Sequence, residues 1–272
     1  MLKPVILGTA LALTAHTYAA KPQAPVVIQG ALDIETDHMI SQLKNVKMKK
    51  YGGWQFWEGT YQGYPIVVSR TLMGMTDAAA ATTLAIEHYH PAAIINQGTA
   101  GGHDPQLKVF DIVLGTESEN IGAFITPTKA KGEGSNTLTW QKSFNVLPQN
   151  NSPEEESRHV RFKADPKLLQ VANQIKTTYT QGRVVEGVIG SADVWNNEID
   201  RINYFHQNYK TSVEEMETAS AAQVAMLYQV PFIGIRVLSN NITNNGAYNP
   251  NTGNACQDYA LNVAKTYLSQ NK

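Results

Sequence analysis

Four short segments of this 272-residue chain gather acids, amides and glycines beside apolar runs. The first, "GALDIE" (30–35), offers Asp33 and Glu35. Two acids there suit the first turn of a helix, whose dipole favours them, as readily as they suit catalysis. The second, "NQGTAGGHDP" (96–105), is a glycine-rich turn that can bring backbone N–H groups against an anion or a ring. It has neither the dinucleotide fingerprint nor a phosphate-loop lysine, and a tight structural turn explains it equally well. In the third, "EEMETASAAQVA" (214–225), Glu215 and Glu217 flank Met216 ahead of a helix of small residues. A helix N-terminus accounts for both acids. A glutamate there can also hold a vicinal diol through its two carboxylate oxygens, as in ribose recognition, with Met216 as a soft contact to a sugar or ring face. The fourth, "RVLSNN" (236–241), closes the most apolar strand. Its asparagines are good turn formers. Arg236 inside that strand needs a partner, because a buried cation is costly alone, and Glu217 is a candidate.

The elements that must position these groups alternate between apolar strands and helices. Strands are expected at Pro25–Gly30, Ala92–Gly98, Leu107–Glu117, Arg183–Trp195 and Pro231–Ser239, with two more joined by a glycine-containing turn within Trp54–Arg70. Helices are expected around Ile34–Leu43 and at Met75–Tyr89, Asp165–Tyr179, Glu217–Val230 and Asn254–Gln270. A polar stretch rich in Gly, Pro, Asn and Ser, about 118–159, reads as an excursion from the core, either a lid or an ornament. This order argues for one α/β domain around a mostly parallel sheet, with ligands at the carboxyl ends of its strands.

Composition narrows the function classes. With 42% hydrophobic and 17% charged residues the chain is an ordinary globular protein. A formal net charge of −1 without any Lys/Arg block argues against a nucleic-acid surface. The seven histidines are scattered without ligand spacing, so no metal site is expected. Residues 1–20 differ: Lys3 precedes an apolar run from Pro4 to about Ala15 and a small-residue site, which reads as a signal peptide cleaved near Ala19 or Ala20. That run is too short to span a membrane, so no span is expected after leader removal, and a periplasmic or secreted address follows. The remaining domain is 21–272. The lone Cys256 forms no internal disulfide and is expected to pack as a small apolar residue.

In order along the chain, "GALDIE", "INQGTAGGHDPQLKVFDIV", "GVIGSADVW", "VEEMETASAAQVA" and "VPFIGIRVLSNN" resemble the purine nucleoside phosphorylase/uridine phosphorylase superfamily. Within it the likeness is greatest to the 5′-methylthioadenosine/S-adenosylhomocysteine nucleosidases. The resemblance covers about Pro25 to the C-terminus apart from the excursion. It implies an α/β three-layer sandwich around a mixed, mostly parallel central sheet, a homodimer, and cleavage of N-glycosidic bonds in purine nucleosides, as in methionine salvage, without metal or organic cofactor. By the same resemblance Glu35 activates the attacking water, Glu217 holds the ribose hydroxyls and Met216 lines the sugar. Glu215, one position before Met216, is counted with the substrate-binding residues. Trp195 packs on the base, Thr99 and Gly101 sit near sugar and nucleophile, and Ser239 and Arg236 orient the catalytic acid.

Two departures matter. Phosphorylases of the superfamily carry phosphate-binding arginines in the first loop and ahead of the glycine-rich turn, where this chain reads "GALDIE" and "INQG". Water is therefore the expected nucleophile, with Arg70, one strand away, keeping a phosphate-dependent phosphorylase as the alternative. Where the nucleosidases have an aspartic acid after the serine, this chain has Asn240. An amide transfers no proton at neutral pH, though it can hydrogen-bond the N7 edge of a purine. A slower adenine nucleosidase, an enzyme for another purine nucleoside and a non-catalytic nucleoside binder all remain open on this point. The expected reading is a hydrolase. Asn241 should point away from Asn240, since neighbours in a strand alternate.

Overall fold

The computed structural model describes residues 23–143, 145–146, 158–159 and 161–271. The expected leader, its cleavage site and much of the excursion lie outside them. Fourteen strands are described: β1 (Val26–Gly30), β2 (Lys44–Tyr51), β3 (Trp54–Tyr61), β4 (Tyr64–Arg70), β5 (Ala93–Gly102), β6 (Ile112–Asn120), β7 (Phe124–Ile125), β8 (Gln141–Lys142), β9 (Asn145–Val146), β10 (Arg158–His159), β11 (Arg161–Lys163), β12 (Val184–Ser191), β13 (Thr211–Glu215) and β14 (Phe232–Asn240). The α-helices are α1 (Asp37–Gln42), α2 (Met75–Tyr89), α3 (Pro166–Gln174), α4 (Ile199–Tyr209), α5 (Thr218–Leu227) and α6 (Thr252–Ser269).

One ten-stranded mixed sheet organises the chain, in the order β11-β6-β12-β13-β5-β1-β4-β3-β2, with β14 bonded to both β5 and β6. Its middle is parallel: β4, β1, β5 and β14 run together, as do β6, β12 and β13. Antiparallel pairing of β14 with β6 and of β13 with the tip of β5 closes β5, β14, β6, β12 and β13 into a ring. The carboxyl ends of β5, β13 and β14, where the polar segments lie, are thereby brought together.

Strand alternation divides the core between the two sheet faces. Val26, Ile28, Ile66, Val68 and Ile95 point to one face and pack with Leu168, Tyr259 and Ala260 from α3 and α6. Val27, Val67 and Ile94 point to the other and pack with Ala85 of α2 and Ala219, Ala222 and Ala225 of α5. Helix, sheet and helix make the three layers expected of a single α/β domain. Small residues let α5 lie close to the sheet: a Cβ on Gly234 would stand 2.5 Å from Thr218 Cγ2. Cys256 is fully buried among the apolar residues of α6, as expected.

Several boundaries differ from the sequence expectation: β6 starts at Ile112 rather than Leu107, β12 ends at Ser191 rather than Trp195, and α3 ends at Gln174 rather than Tyr179. Gly98–Gly102 is not a turn but the last part of β5. The excursion starts after Asn120, since β6 runs to that residue, and returns through β11, which pairs with Glu117–Glu119 of β6. Arg161 fixes that return, 2.9 Å from both Glu117 and Glu119. Among the described residues no helix is long and apolar enough to cross a membrane.

Candidate active site

Glu35 is built into the structure by its neighbours' backbones. After Gly30 the chain makes one 3₁₀ turn, Asp33–Glu35, which carries the Glu35 side chain inward to 6% exposure. Oε1 accepts from Thr99 N (2.8 Å) and Thr99 Oγ1 (3.0 Å). Oε2 accepts from Ala31 N (2.9 Å) and, at a longer 3.3 Å, from Leu32 N. A Cβ on Gly98 would lie 2.6 Å from Oε1 and one on Gly102 2.5 Å from Asn241 Nδ2, so glycines in β5 are what let side chains meet the strand edge-on.

Beneath the cavity lies a buried ion pair. Arg236, 1% exposed, donates from Nη2 (2.5 Å) and Nε (3.1 Å) to Glu215 Oε2, and from Nη2 to Asn96 Oδ1. Glu217 Oε2 is 4.0 Å away. The main partner of Arg236 is thus Glu215 rather than the Glu217 expected from sequence. Two residues suffice for this difference: Glu215 ends β13, whereas Glu217 has already turned into the N-cap of α5. Ser191 Oγ and the N–H groups of Glu217 (3.0 Å) and Thr218 (3.0 Å) also donate to Glu215, which so caps α5. Burial works against the Glu215 carboxylate, but Arg236 and these donors hold its pKa below the ordinary value. Burial likewise opposes the charge of Arg236, and Glu215, Glu217 and Glu35 nevertheless raise its pKa.

Glu217 has the opposite treatment. Its Oε1 accepts from Gly74 N (2.9 Å), a glycine whose φ of 105° starts α2. Burial, then repulsion from Glu215, pushes its carboxyl up to about 8, against the pull of Arg236. Met75 N, at the same helix start, donates to Asp193 Oδ1 at 2.8 Å.

At the other end of the cavity β14 bulges. Leu238 pairs with Ala100 and Asn240 with Gly101, leaving Ser239 as the extra residue. Bulges re-aim the side chains beside them. Ser239 Oγ donates to Asn240 Oδ1 at 3.1 Å, leaving Asn240 Nδ2, which has no partner among the described residues, as the donor available to the cavity. Asn241 points away as expected: its Nδ2 donates to Asp104 O (2.9 Å) and Leu107 O (2.8 Å), and its Oδ1 accepts from Thr243 N. It is a structural clamp on the 104–107 loop.

One cavity of about 750 Å³, including its open mouth, lies between these groups. Of the residues singled out in the sequence, Glu35, Thr99, Gly101, Trp195, Glu215, Met216, Glu217, Ser239 and Asn240 line it. Arg236 does not; it acts from below, through Glu215, and has no described contact with Asn240. Trp195 stands at the rim, 63% exposed. Arg70 is spent elsewhere, 2.7 Å from Asp33 and 2.5 Å from Asp37, and stacks over Trp57. Among the described residues no lysine or arginine lines the cavity.

Three polar lining residues, His103, Asn196 and Glu214, were not anticipated. Glu214, one position before Glu215 and therefore on the opposite side of β13, accepts from Asn196 N (2.9 Å) and Nδ2 (2.5 Å). His103 Nε2 sits 3.0 Å from Glu214 Oε2, out of line for a hydrogen bond, while Nδ1 meets Thr211 Oγ1 at 2.7 Å. The doubled glutamate of "VEEME" was the available signal, since a strand ending in two acids must send one to each face.

Comparison with known proteins identifies the family and the fold. The Phosphorylase superfamily model matches residues 25–269. A 5′-methylthioadenosine/S-adenosylhomocysteine nucleosidase of Shewanella piezotolerans is 30% identical over 221 residues, covering 81% of this chain and 87% of that protein. One from Psychromonas ingrahamii is 29% identical over 213 residues, covering 78% and 84%. Among solved structures, a nucleosidase of the same kind from Colwellia psychrerythraea, in complex with adenine, superposes with a TM-score of 0.71 at 23% identity, covering 90% of this chain and 96% of that one.

Proposed function

The chain belongs to the phosphorylase superfamily, and from that premise we propose that it is a purine nucleosidase acting on nucleosides of the 5′-methylthioadenosine/S-adenosylhomocysteine type. The observation that carries this reading is the cavity itself: Glu35 and Glu217 line it together, and among the described residues no lysine or arginine does. An anionic phosphate nucleophile would enter a site lined by carboxylates with no described lysine or arginine to neutralise it, whereas neutral water meets no such barrier.

In this reading Glu217 and Met216 hold the ribose, and Glu35 orients water on C1′. Leu32 N–H, at 3.3 Å the longest of the four donors to Glu35, is the contact a water would share. The C1′–N9 bond breaks with its electron pair passing into the purine, and the C1′–O bond forms as the water proton passes to the Glu35 carboxylate. Negative charge developing on the purine meets Asn240 Nδ2, a hydrogen-bond donor held in place by Ser239. The base leaves as an anion and takes its proton from solvent. The positive charge developing on the sugar faces the acidic end of the cavity, which is where Glu35 and Glu217 lie.

The apolar leader supports export, and the family resemblance supports a homodimer; cell fractionation of the full chain and sedimentation of the mature chain test these two points. The function itself is tested by adenine release from 5′-methylthioadenosine with and without phosphate, followed by ³¹P NMR. Equal release and no sugar phosphate are expected. Release only with phosphate would replace the hydrolase by a phosphorylase.

A further inference from the structure

A second cavity, of about 910 Å³ including open solvent, adjoins the first, and both use Val194, Trp195 and Asn196 as wall. Its far side is Phe124, Thr137 and Trp140 of the excursion, and its floor includes Arg201 of α4. Neighbouring positions of that helix serve the two cavities, Ile202 the first and Arg201 the second. Sequence reasoning assigned neither residue a role.

Arg201 is 6% exposed, yet no carboxylate among the described residues lies within ion-pair distance. Its guanidinium lies over the rings of Phe205 (4.4 Å) and Phe124 (4.7 Å), and only Nη1 has a described hydrogen-bond acceptor, Thr137 O at 2.7 Å. A guanidinium offers five N–H donors in a planar fork that suits a carboxylate or phosphate. The other buried arginine, Arg236, shows the usual solution, with Glu215 and Asn96 taking its donors. Arg201 has aromatic packing on its faces and an edge left to a cavity. Burial lowers its pKa against the opposing pull of Tyr204, Tyr209, Glu198 and Glu214, and Glu198 lies on the same cavity wall without forming an ion pair with it.

We propose that this second cavity is an anion subsite of the active site, in which Arg201 receives a carboxylate or phosphate attached to the base side of a purine nucleoside. The proposal rests on the nucleosidase reading for where the purine lies. With Asn240 and Trp195 at the base, the shared wall at 194–196 separates the base, not the sugar, from Arg201. The subsite would select purines enlarged at the exocyclic position by an acidic group.

Calorimetric dissociation constants for four nucleosides test it: 5′-methylthioadenosine, S-adenosylhomocysteine, whose carboxylate is on the sugar side, an N6-carboxyalkyl adenosine and the methyl ester of that compound. Inorganic phosphate serves as a free-anion probe. For the wild type, the N6-carboxyalkyl compound should bind more tightly than its methyl ester. In Arg201→Gln that preference for acid over ester should fall by about 10-fold or more, and Arg201→Lys should retain part of it. Phosphate should compete with the acid but not with the ester. A ratio of acid to ester affinity unchanged in Arg201→Gln would overturn the proposal, as would a loss confined to S-adenosylhomocysteine. Equal weakening of acid and ester, with a lowered melting temperature, would mark Arg201 as structural only and also overturn it. Failure of the wild type to bind even 5′-methylthioadenosine would instead count against the nucleosidase reading, and the phosphate titration would still report on Arg201.

Discussion

The two ends of the catalytic cavity are built on opposite principles. At the sugar end, acids are gathered and over-provided with donors: Glu35 accepts from four groups, Glu215 from Arg236, Ser191 and two backbone N–H groups, and Glu217 from Gly74. At the base end a single amide, Asn240, is steadied by one hydroxyl. The sugar end can stabilise a cation and guide water. The base end can hold a purine edge but has no proton on Asn240 to give. On the function proposed above, catalysis would be weighted towards the sugar, with leaving-group help limited to a hydrogen bond.

That contrast can be broken at its strong end first. Glu35→Gln should lower kcat by roughly 10²–10⁴-fold while the dissociation constant for 5′-methylthioadenosine stays within a few-fold. Loss of binding in proportion to turnover would remove Glu35 from the chemistry. Arg236→Met should cost about 3–5 kcal/mol of stability in denaturant unfolding, because Glu215 is left buried without its cation. A near-neutral result would show that the pair is dispensable to the fold. Gly98→Ala should reduce kcat by roughly tenfold or more, since its Cβ would stand 2.6 Å from Glu35 Oε1 and must displace the carboxylate from its fixed geometry. Unchanged kinetics would mean that Glu35 has room to move.

A smaller effect separates the two neighbouring glutamates. With a pKa of about 8, Glu217 carries its proton at neutral pH, whereas ribose hydroxyls donate to the ionised form. Ligand binding must then expel that proton. Affinity for 5′-methylthioadenosine should rise as pH climbs towards 8 and level off above it, with proton release visible when calorimetry is repeated in buffers of different ionisation enthalpy. Glu217→Gln should flatten the profile. A slope that survives this change would assign the titration to another group.

How much of this was legible in the sequence depended on periodicity. β1, β5 and β14 announced themselves because both faces of the sheet are covered and the strands are continuous apolar runs. β2 carries no such signal: its residues are almost all exposed on the sheet edge, and "KNVKMKKY" has no face to bury. α4 is half polar and buries only Arg201, Ile202 and Phe205, so the Arg201 cavity could not be foreseen. The glycines of β5 read as a turn because composition reports backbone freedom, whereas here they serve close approach of Glu35 and Asn241. Glu35, Met216, Glu217 and Asn240 were singled out through motif order, and the closed sheet brings these chain-distant residues to one cavity. The choice of Glu215 over Glu217 for Arg236 depends on which acid still belongs to the strand, and no spacing rule fixes that.

The weak end of the cavity offers the most direct test. Turnover of 5′-methylthioadenosine by Asn240→Asp, compared with the wild type at saturating substrate, isolates the proton that the base end lacks. A gain of roughly tenfold or more is predicted, because the sugar-end machinery is already in place and an acid beside Ser239 can protonate the departing purine. No gain, or a fall, would contradict the account and mean that purine departure in this protein is helped by a group other than the one at position 240.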